Sequence, residues 1–297
     1  LEIEVNARVL NFDKDGVWRI GFNASKVTNK ILALPANGVE NNRQGGALIY
    51  DPKKGKNVWV GGLQEGGGIG NHLILYDFKG VYKTDEEAAK APFHKLCLSS
   101  DPNKTQYGGD AIFNDTNGDG VLDEYDRIYA GNSLPDWTGG INTSLSWKGL
   151  ELYMRADYTL GHSIFNWAMN FMDYSMSHDS NFTTDIVKDS WQKQGDNAKM
   201  PRYNVGNECS CSSDGTYQST LYLEKGDFLC MREITLSYNF CPEIFKKARL
   251  SNVRVAVTGS NLFYITGYKG LNPEEGGVDD GRYSLPRNVT CSVGLTF

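Results

Sequence analysis

Asn288-Val-Thr-Cys-Ser-Val-Gly-Leu-Thr-Phe297 alternates without a break. Val289, Cys291, Val293, Leu295 and Phe297 share one face, and Asn288, Thr290, Ser292, Gly294 and Thr296 share the other. Period-two alternation means an extended strand with one apolar and one polar side. About ten such residues suffice to cross a bilayer as a tilted strand. An outer strand of a soluble sandwich reads the same way, so the other strands have to decide.

Upstream the pattern recurs. Val253, Val255, Val257 and Gly259 oppose Arg254, Ala256, Thr258 and Ser260. Phe228, Cys230, Ile234, Leu236, Tyr238 and Phe240 mark a further strand, with Arg232 the one charge on its apolar face. Leu150, Leu152, Met154, Ala156 and Tyr158 alternate with Glu151, Tyr153, Arg155 and Asp157. Before the short turn Lys148-Gly149, a strand places Ile141, Thr143, Leu145 and Trp147 on one side. At the start, Leu1, Ile3, Val5, Ala7 and Val9 oppose Glu2, Glu4, Asn6 and Arg8. After the turn Asp13-Lys-Asp-Gly16, Trp18, Ile20, Phe22 and Ala24 oppose Arg19, Gly21, Asn23 and Ser25.

The polar faces carry charges in mid-strand, so they need water, whereas the opposite faces are consistently apolar. Connections also alternate in length. Residues 13–16, 148–149 and 241–252 are short or medium; 30–138, 163–222 and 267–285 are long. A sandwich has no reason to gather its long loops at one end, whereas an outer-membrane barrel has short periplasmic turns and long extracellular loops. The expected fold is all-β: the C-terminal portion of a large antiparallel transmembrane barrel, with its apolar faces toward lipid. The alternative is a secreted, calcium-stabilised β-sandwich that binds carbohydrate.

The 297 residues contain no run apolar enough for a transmembrane helix, and high counts of Gly (33), Tyr (16) and Phe (13) suit a turn-rich β protein. The chain starts without Met or a signal pattern, which suggests a piece of a longer protein. A net charge of −6 gives no nucleic-acid footprint. The six cysteines form no compact framework, and the spacing leaves the connectivity of Cys97, Cys209 and Cys211 open. Within the long connections, His72-Leu-Ile-Leu-Tyr76 through Tyr82 reads as a short strand, and Thr84-Asp-Glu-Glu87 as a capping box opening a short helix. The residues 163–222 read as a polar loop with embedded aromatics.

The sharpest local chemistry is Asp115-Thr-Asn117-Gly-Asp119-Gly-Val121-Leu-Asp123-Glu-Tyr-Asp126. Asp115, Asn117, Asp119, Val121 (through its carbonyl), Asp123 (through water) and Asp126 fall at calcium-loop positions, with Gly120 at the sharp turn. The expectation is one structural Ca²⁺ at roughly 2.3–2.6 Å from its oxygens; the bland reading is an Asx-rich turn. A second constellation is aromatic. Trp59, Tyr107, Trp167, Tyr174 and Tyr203, with Phe171, Tyr217 and Tyr222, could stack on sugar rings, though most read better as loop packing or partner contacts. Histidines and carboxylates form no catalytic pattern, so no enzyme is expected.

Several stretches resemble one family, the SusC/RagA-type TonB-dependent transporters of the Bacteroidetes outer membrane. They are Phe78-Lys-Gly-Val-Tyr-Lys-Thr84, Asp115-Thr-Asn-Gly-Asp-Gly120, Asn132-Ser-Leu-Pro-Asp-Trp-Thr-Gly-Gly140, Gly226-Asp-Phe-Leu-Cys-Met-Arg-Glu-Ile-Thr-Leu-Ser-Tyr238, Val257-Thr-Gly-Ser-Asn-Leu-Phe263, Tyr268-Lys-Gly-Leu-Asn-Pro-Glu274 and the terminal strand. Cys230, Cys241 and the Cys209/Cys211 loop depart from the family pattern. The resemblance implies a barrel of about 22 strands around a plug, with the plug outside this chain. It implies import of glycan oligomers or peptides, coupled through TonB, with a SusD-like lipoprotein as lid. It also leaves room for a dimer of transporter–lipoprotein pairs.

Overall fold

The computed structural model describes residues 1–12, 16–70, 72–95, 106–174, 184–202 and 219–297. One antiparallel sheet dominates. Its strands are β1 (Glu2–Phe12), β2 (Gly16–Ser25), β3 (Trp137–Trp147), β4 (Leu150–Leu160), β5 (Phe228–Phe240), β6 (Asn252–Thr266) and β7 (Asn288–Thr296). The seven lie in sequence order, each hydrogen-bonded to the next. This up-and-down order sends the connections after β2, β4 and β6 to one end and those after β1, β3 and β5 to the other. Of the expected turn at 13–16, residues 13–15 lie outside the described residues, but Phe12 and Gly16 pair across them.

Register brings the alternating faces into continuous rows. Trp18, Leu145, Leu152, Leu236, Val257 and Cys291 are successive partners across β2 to β7. Val5, Phe22, Ile141, Ala156, Met231 and Phe263 form a second apolar row. Most of this face is bare among the described residues: Leu236 is 49 % exposed, Val257 45 % and Val293 66 %, whereas Val253, at the end next to the turn at Pro242–Ala248, is buried. A slip of one residue in any strand would send that strand's apolar set to the charged side. Two strands do change phase, each at a bulge. In β1 the register shifts between Arg8 and Leu10, so Leu10 rather than Val9 stands opposite Trp18.

The second phase change corrects the expectation for β5. Arg155 pairs with Glu233 and Ala156 with Met231, which leaves Arg232 as an extra residue. Below it Ile234, Leu236 and Tyr238 face the apolar side; above it Leu229 and Met231 do. Phe228 and Cys230 therefore lie on the polar side, opposite Thr159 and Asp157. Both are buried there, Cys230 completely. Arg232 is no charge on an apolar face: the bulge re-aims it, as bulges commonly do beside sites.

The long connections carry the chain's own packed cores. After β2, a strand at His72–Tyr76 pairs with Arg127–Asn132, and Phe78–Val81 pairs with Ala111–Phe113. The single strand expected over 72–82 is thus divided between two partners. Thr84 caps the one-turn helix α1 (Asp85–Ala88), its side chain accepting from the Glu87 N–H, while the Glu87 carboxylate takes the Lys83 N–H. Tyr76, Ala111, Phe113 and Leu122 form one buried cluster, and Leu73, Leu75, Phe165 and Tyr222 another. The stretch read as a polar loop contains a strand, Ser163–Asn166, followed by α2 (Trp167–Tyr174) and α3 (Thr184–Asp189). Ser163–Asn166 pairs with Leu223–Lys225 and, in parallel, with Gly277–Asp279, tying the second long connection to the third. Among the described residues no helix is long and apolar enough to cross a membrane.

Candidate functional site

The polar side of the sheet is charged and cross-braced. Arg254 reaches Glu151 at 3.3 Å and the Ser237 hydroxyl at 2.9 Å. Thr235 and Thr258 share a hydroxyl contact of 2.9 Å. At the bulge the bracing becomes a knot. Arg232 Nε donates to Asp157 Oδ2 at 2.8 Å, and Nη1 donates to Glu274 Oε1 at 2.7 Å and to Asn261 Oδ1 at 3.5 Å. Tyr264 donates to the same Glu274 oxygen. Asn261 holds a left-handed backbone, φ 52°, in mid-strand, a conformation Asn tolerates better than most residues. Charge-assisted bonds of this kind are the strong ones. They fasten the connection after β6 to the sheet and border an open cleft of about 400 Å³. Sequence reading missed the knot; its one visible signal was Arg232 standing where an apolar residue was expected.

The Asp115–Asp126 loop folds in two halves. In the first, Asp115 accepts the Gly118 and Gly120 N–H groups at 2.7 and 2.9 Å, Asn117 accepts that of Asp119, and Asp119 accepts that of Val121. Gly120 takes the left-handed turn its position requires, φ 82°. In the second, Asp123 and Asp126 cap a 3₁₀ turn: Asp126 accepts from the Asp123 N–H, and Asp123 accepts from that of Tyr125. Asp126 also accepts the Thr116 N–H at 2.9 Å, closing the loop. Asp123 is engaged by Lys95 at 3.2 Å. Asp126 is fully buried, and among the described residues no cation pairs with it. Burial pushes its carboxyl above the ordinary range; its backbone hydrogen bonds oppose this, and the Asp115 charge adds to it. Among the described residues no three acidic, histidine or cysteine side chains converge on one point.

The described aromatic candidates stand in different local settings. Trp59 stands on a hairpin strand, Lys56–Val60, with the Arg43 guanidinium 3.9 Å from its ring centroid. Tyr107, half-buried, has Arg202 over its ring at 5.4 Å. Trp167 opens α2, its ring 6.2 Å from Phe165. Tyr222 is buried against Phe165 in a core cluster, so its packing reading holds. Tyr203 and Tyr217 lie outside the described residues, as do the side chains of Phe171 and Tyr174.

An open, sequentially ordered antiparallel sheet with one bare apolar face and one charged face defines the class: a segment of an outer-membrane β-barrel. No protein-family model matches the chain. Over 313 residues it is 27 % identical to TonB-dependent receptor P3 of Formosa agariphila, a match covering 100 % of the chain and 28 % of that receptor. It is 27 % identical to TonB-dependent receptor SusC of Bacteroides thetaiotaomicron over 189 residues, 63 % of the chain and 17 % of SusC. Its fold superposes on a chain of the RagAB peptide transporter with a TM-score of 0.67 at 19 % identity, covering 100 % of this chain and 29 % of that one. The chain is thus similar to SusC/RagA-type TonB-dependent receptors, in their C-terminal part. It spans less than a third of the length of the relatives it matches. Those relatives bear receptor names, in accord with the expectation of no enzyme.

Proposed function

We propose that the receptor to which this chain contributes imports hydrophilic oligomers, glycans or peptides, across the outer membrane, driven through TonB. The supporting observation is the division of one sheet into a bare apolar face and a charged face bearing a cleft. A soluble sandwich would have buried the first. In this reading the connections after β2, β4 and β6, the residues 30–138, 163–222 and 267–285, are extracellular. The first two form mainly a docking surface for a SusD-like lipoprotein, with Trp59, Tyr107 and Trp167 exposed or half-exposed on it, and pairs of receptor and lipoprotein can dimerise. TonB contacts belong to the rest of the receptor. The test is uptake of labelled oligomers by cells with and without the receptor gene. Uptake should need both the gene and the proton gradient. Uptake that persists with the gradient collapsed would overturn active import.

One Ca²⁺ belongs to the same proposal. Asp115, Asn117, Asp119, the Val121 carbonyl, Asp123 and Asp126 would hold it, ordering the long connection before a partner grips it. What supports it is the buried Asp126 carboxylate beside the Asp115 charge with no cation on it. The ion would stabilise the loop by mass action. Calorimetry on the folded receptor should show Ca²⁺ binding that Asp115→Ala with Asp119→Ala abolishes. These substitutions should also weaken co-purification of the lipoprotein while barrel insertion persists. No heat at millimolar Ca²⁺ would leave the loop as an Asx turn. Unchanged lipoprotein binding with reduced uptake would assign it to cargo.

A further inference from the structure

Two of the three connections at the short-turn end of the sheet are basic. Lys148-Gly149 joins β3 to β4, and Pro242–Ala248 forms a 3₁₀ turn between β5 and β6. The two are neighbours, because the Asn239 N–H donates to the Gly149 carbonyl at 2.8 Å. Residues 241–252 contain Lys246, Lys247 and Arg249 against the single acid Glu243. With Lys148 that makes four cations and one carboxylate, in a chain whose net charge is −6. Lys148, Lys247 and Arg249 are exposed and form no ion pair among the described residues.

Both turns lean on the apolar side of the sheet. The Lys148 ammonium lies 5.1 Å from the centroid of the Trp147 ring. Trp147 begins an apolar row that runs through Leu150, Tyr238, Val255 and Val293. Phe245, inside the 3₁₀ turn, packs edge-on against Phe240 with centroids 5.8 Å apart, and Phe240 meets Tyr238 in the same way at 4.8 Å. Phe240 pairs with Val253, which is buried beside the turn. Ile244 of the same turn is 66 % exposed. Water gives such an isoleucine no reason to be there, whereas the boundary of a bilayer does. Trp and Tyr at headgroup level, with cations just beyond them, make an interfacial anchor.

We propose that these two turns form a binding site for an anionic phospholipid of the periplasmic leaflet. Lys148, Lys247 and Arg249 hold the headgroup phosphate, and the acyl chains lie along the row that starts at Trp147. Arginine suits a phosphate through paired N–H donors and lysine as a point charge. Clusters of such cations beside a membrane-spanning segment attract anionic lipid. A zwitterionic lipid brings an ammonium of its own, which the excess of cations repels. The acyl chains need no separate pocket, since the row continues into the bare apolar wall. The assignment rests on the import reading, which puts this end of the sheet in the periplasm.

The test uses the purified full-length receptor in neutral detergent and native mass spectrometry, with dioleoyl phosphatidylglycerol and dioleoyl phosphatidylcholine as probes. Phosphatidylglycerol should bind more tightly by roughly tenfold or more, and Lys148→Gln, Lys247→Gln and Arg249→Gln should each weaken it by about fivefold. Together they should abolish the preference, with heat-modifiability confirming a folded barrel. Lys53→Gln with Lys54→Gln and Lys56→Gln makes the same change of charge on the hairpin of Ala47–Asp51 and Lys56–Val60 and should leave the preference intact. Equal binding of the two lipids, a preference that survives the triple substitution, or one lost equally through the hairpin overturns the site. If TonB-dependent uptake continues in any of these cases, the import reading stands without it. Orientation is read separately at Cys241, an exposed free thiol where the 3₁₀ turn begins. A maleimide unable to cross the outer membrane should label it, as judged by peptide mass, only after lysis. Labelling in whole cells would put the turn outside and sink both.

Discussion

Leu236 in the sheet and Leu122 in the first long connection are both strand leucines, yet one is 49 % exposed and the other 1 %. The contrast runs through the molecule. The apolar rows of β1 to β7 lie bare, whereas Leu122, Phe113, Ala111 and Tyr76 pack into a core of their own. Strand pairing organises the sheet, and the hydrophobic gain that a soluble sheet takes from its core must come here from lipid. The connections gain theirs from one another. Wall and connections should therefore fail separately, and under different insults.

The largest separable effect is expected inside the connection. Phe113 packs against Tyr76, Phe78 and His94, with ring centroids 5.8, 6.3 and 5.9 Å apart. Phe113→Ala should cost about 3–5 kcal/mol. Hydrogen exchange should rise across 72–130 while exchange in β3 to β6 stays slow. Equal acceleration in the wall would show that the two regions form one cooperative unit. The converse substitution is Leu236→Lys, which sets a charge in the middle of the apolar face. It should cost roughly 2–4 kcal/mol at bilayer mid-depth and reduce the folded, heat-modifiable receptor in outer membranes. Thr258→Lys, on the polar side, should leave folding intact. A wall indifferent to Leu236→Lys would not be facing lipid.

The same contrast decides what could be read from sequence. The wall was legible because a strand with lipid on one side and water on the other repeats with period two over its whole length. Its two misreadings, Val9 and the pair Phe228/Cys230, both sit at bulges, where one extra residue reverses the phase. Bulges leave no compositional mark, though a charge in the apolar series, as at Arg232, is a hint. In the connections the local signals survived: the Thr84 cap and the Gly120 turn fold as their residues require. What could not be read was which strand meets which. Phe78–Val81 finds its partner some thirty residues on, and Ser163–Asn166 pairs with Gly277–Asp279 across more than a hundred. Such pairings are set by tertiary packing, which a single sequence does not display. The cleft was hidden for the same reason, since His162, Arg232 and Glu274 are far apart in the chain.

A smaller effect should come from pH within the first long connection. Burial pushes His94 from 6.5 down to about 4. The unfolded segment therefore binds a proton that the folded one refuses between those two values. The stability involved is fully present above pH 6.5 and is lost as pH falls toward 4. The local loss should be on the order of 1–3 kcal/mol. Exchange across 72–130 should quicken over that window, and His94→Phe, which keeps a ring against Phe113, should flatten the dependence. A wild-type segment whose exchange free energy is constant from pH 7 to 4 would mean that His94 protonates without opening it.

The smallest effect separates a connection's core from its surface. Trp59 is 37 % exposed and is held by the Arg43 guanidinium rather than by a buried cluster. An exposed cation–π contact is worth about 0.5–1 kcal/mol, so Trp59→Leu, which keeps most of the apolar contact, should destabilise the hairpin by no more than that. If Trp59 belongs to the docking surface, the same substitution should weaken lipoprotein co-purification well beyond what so small a loss of stability explains, because large aromatics dominate the energetics of interfaces. A stability loss comparable to that of Phe113→Ala would instead make Trp59 a core residue of its hairpin. Unaltered lipoprotein binding at normal stability would remove it from the interface and leave Tyr107 and Trp167 as the aromatic contacts to examine next.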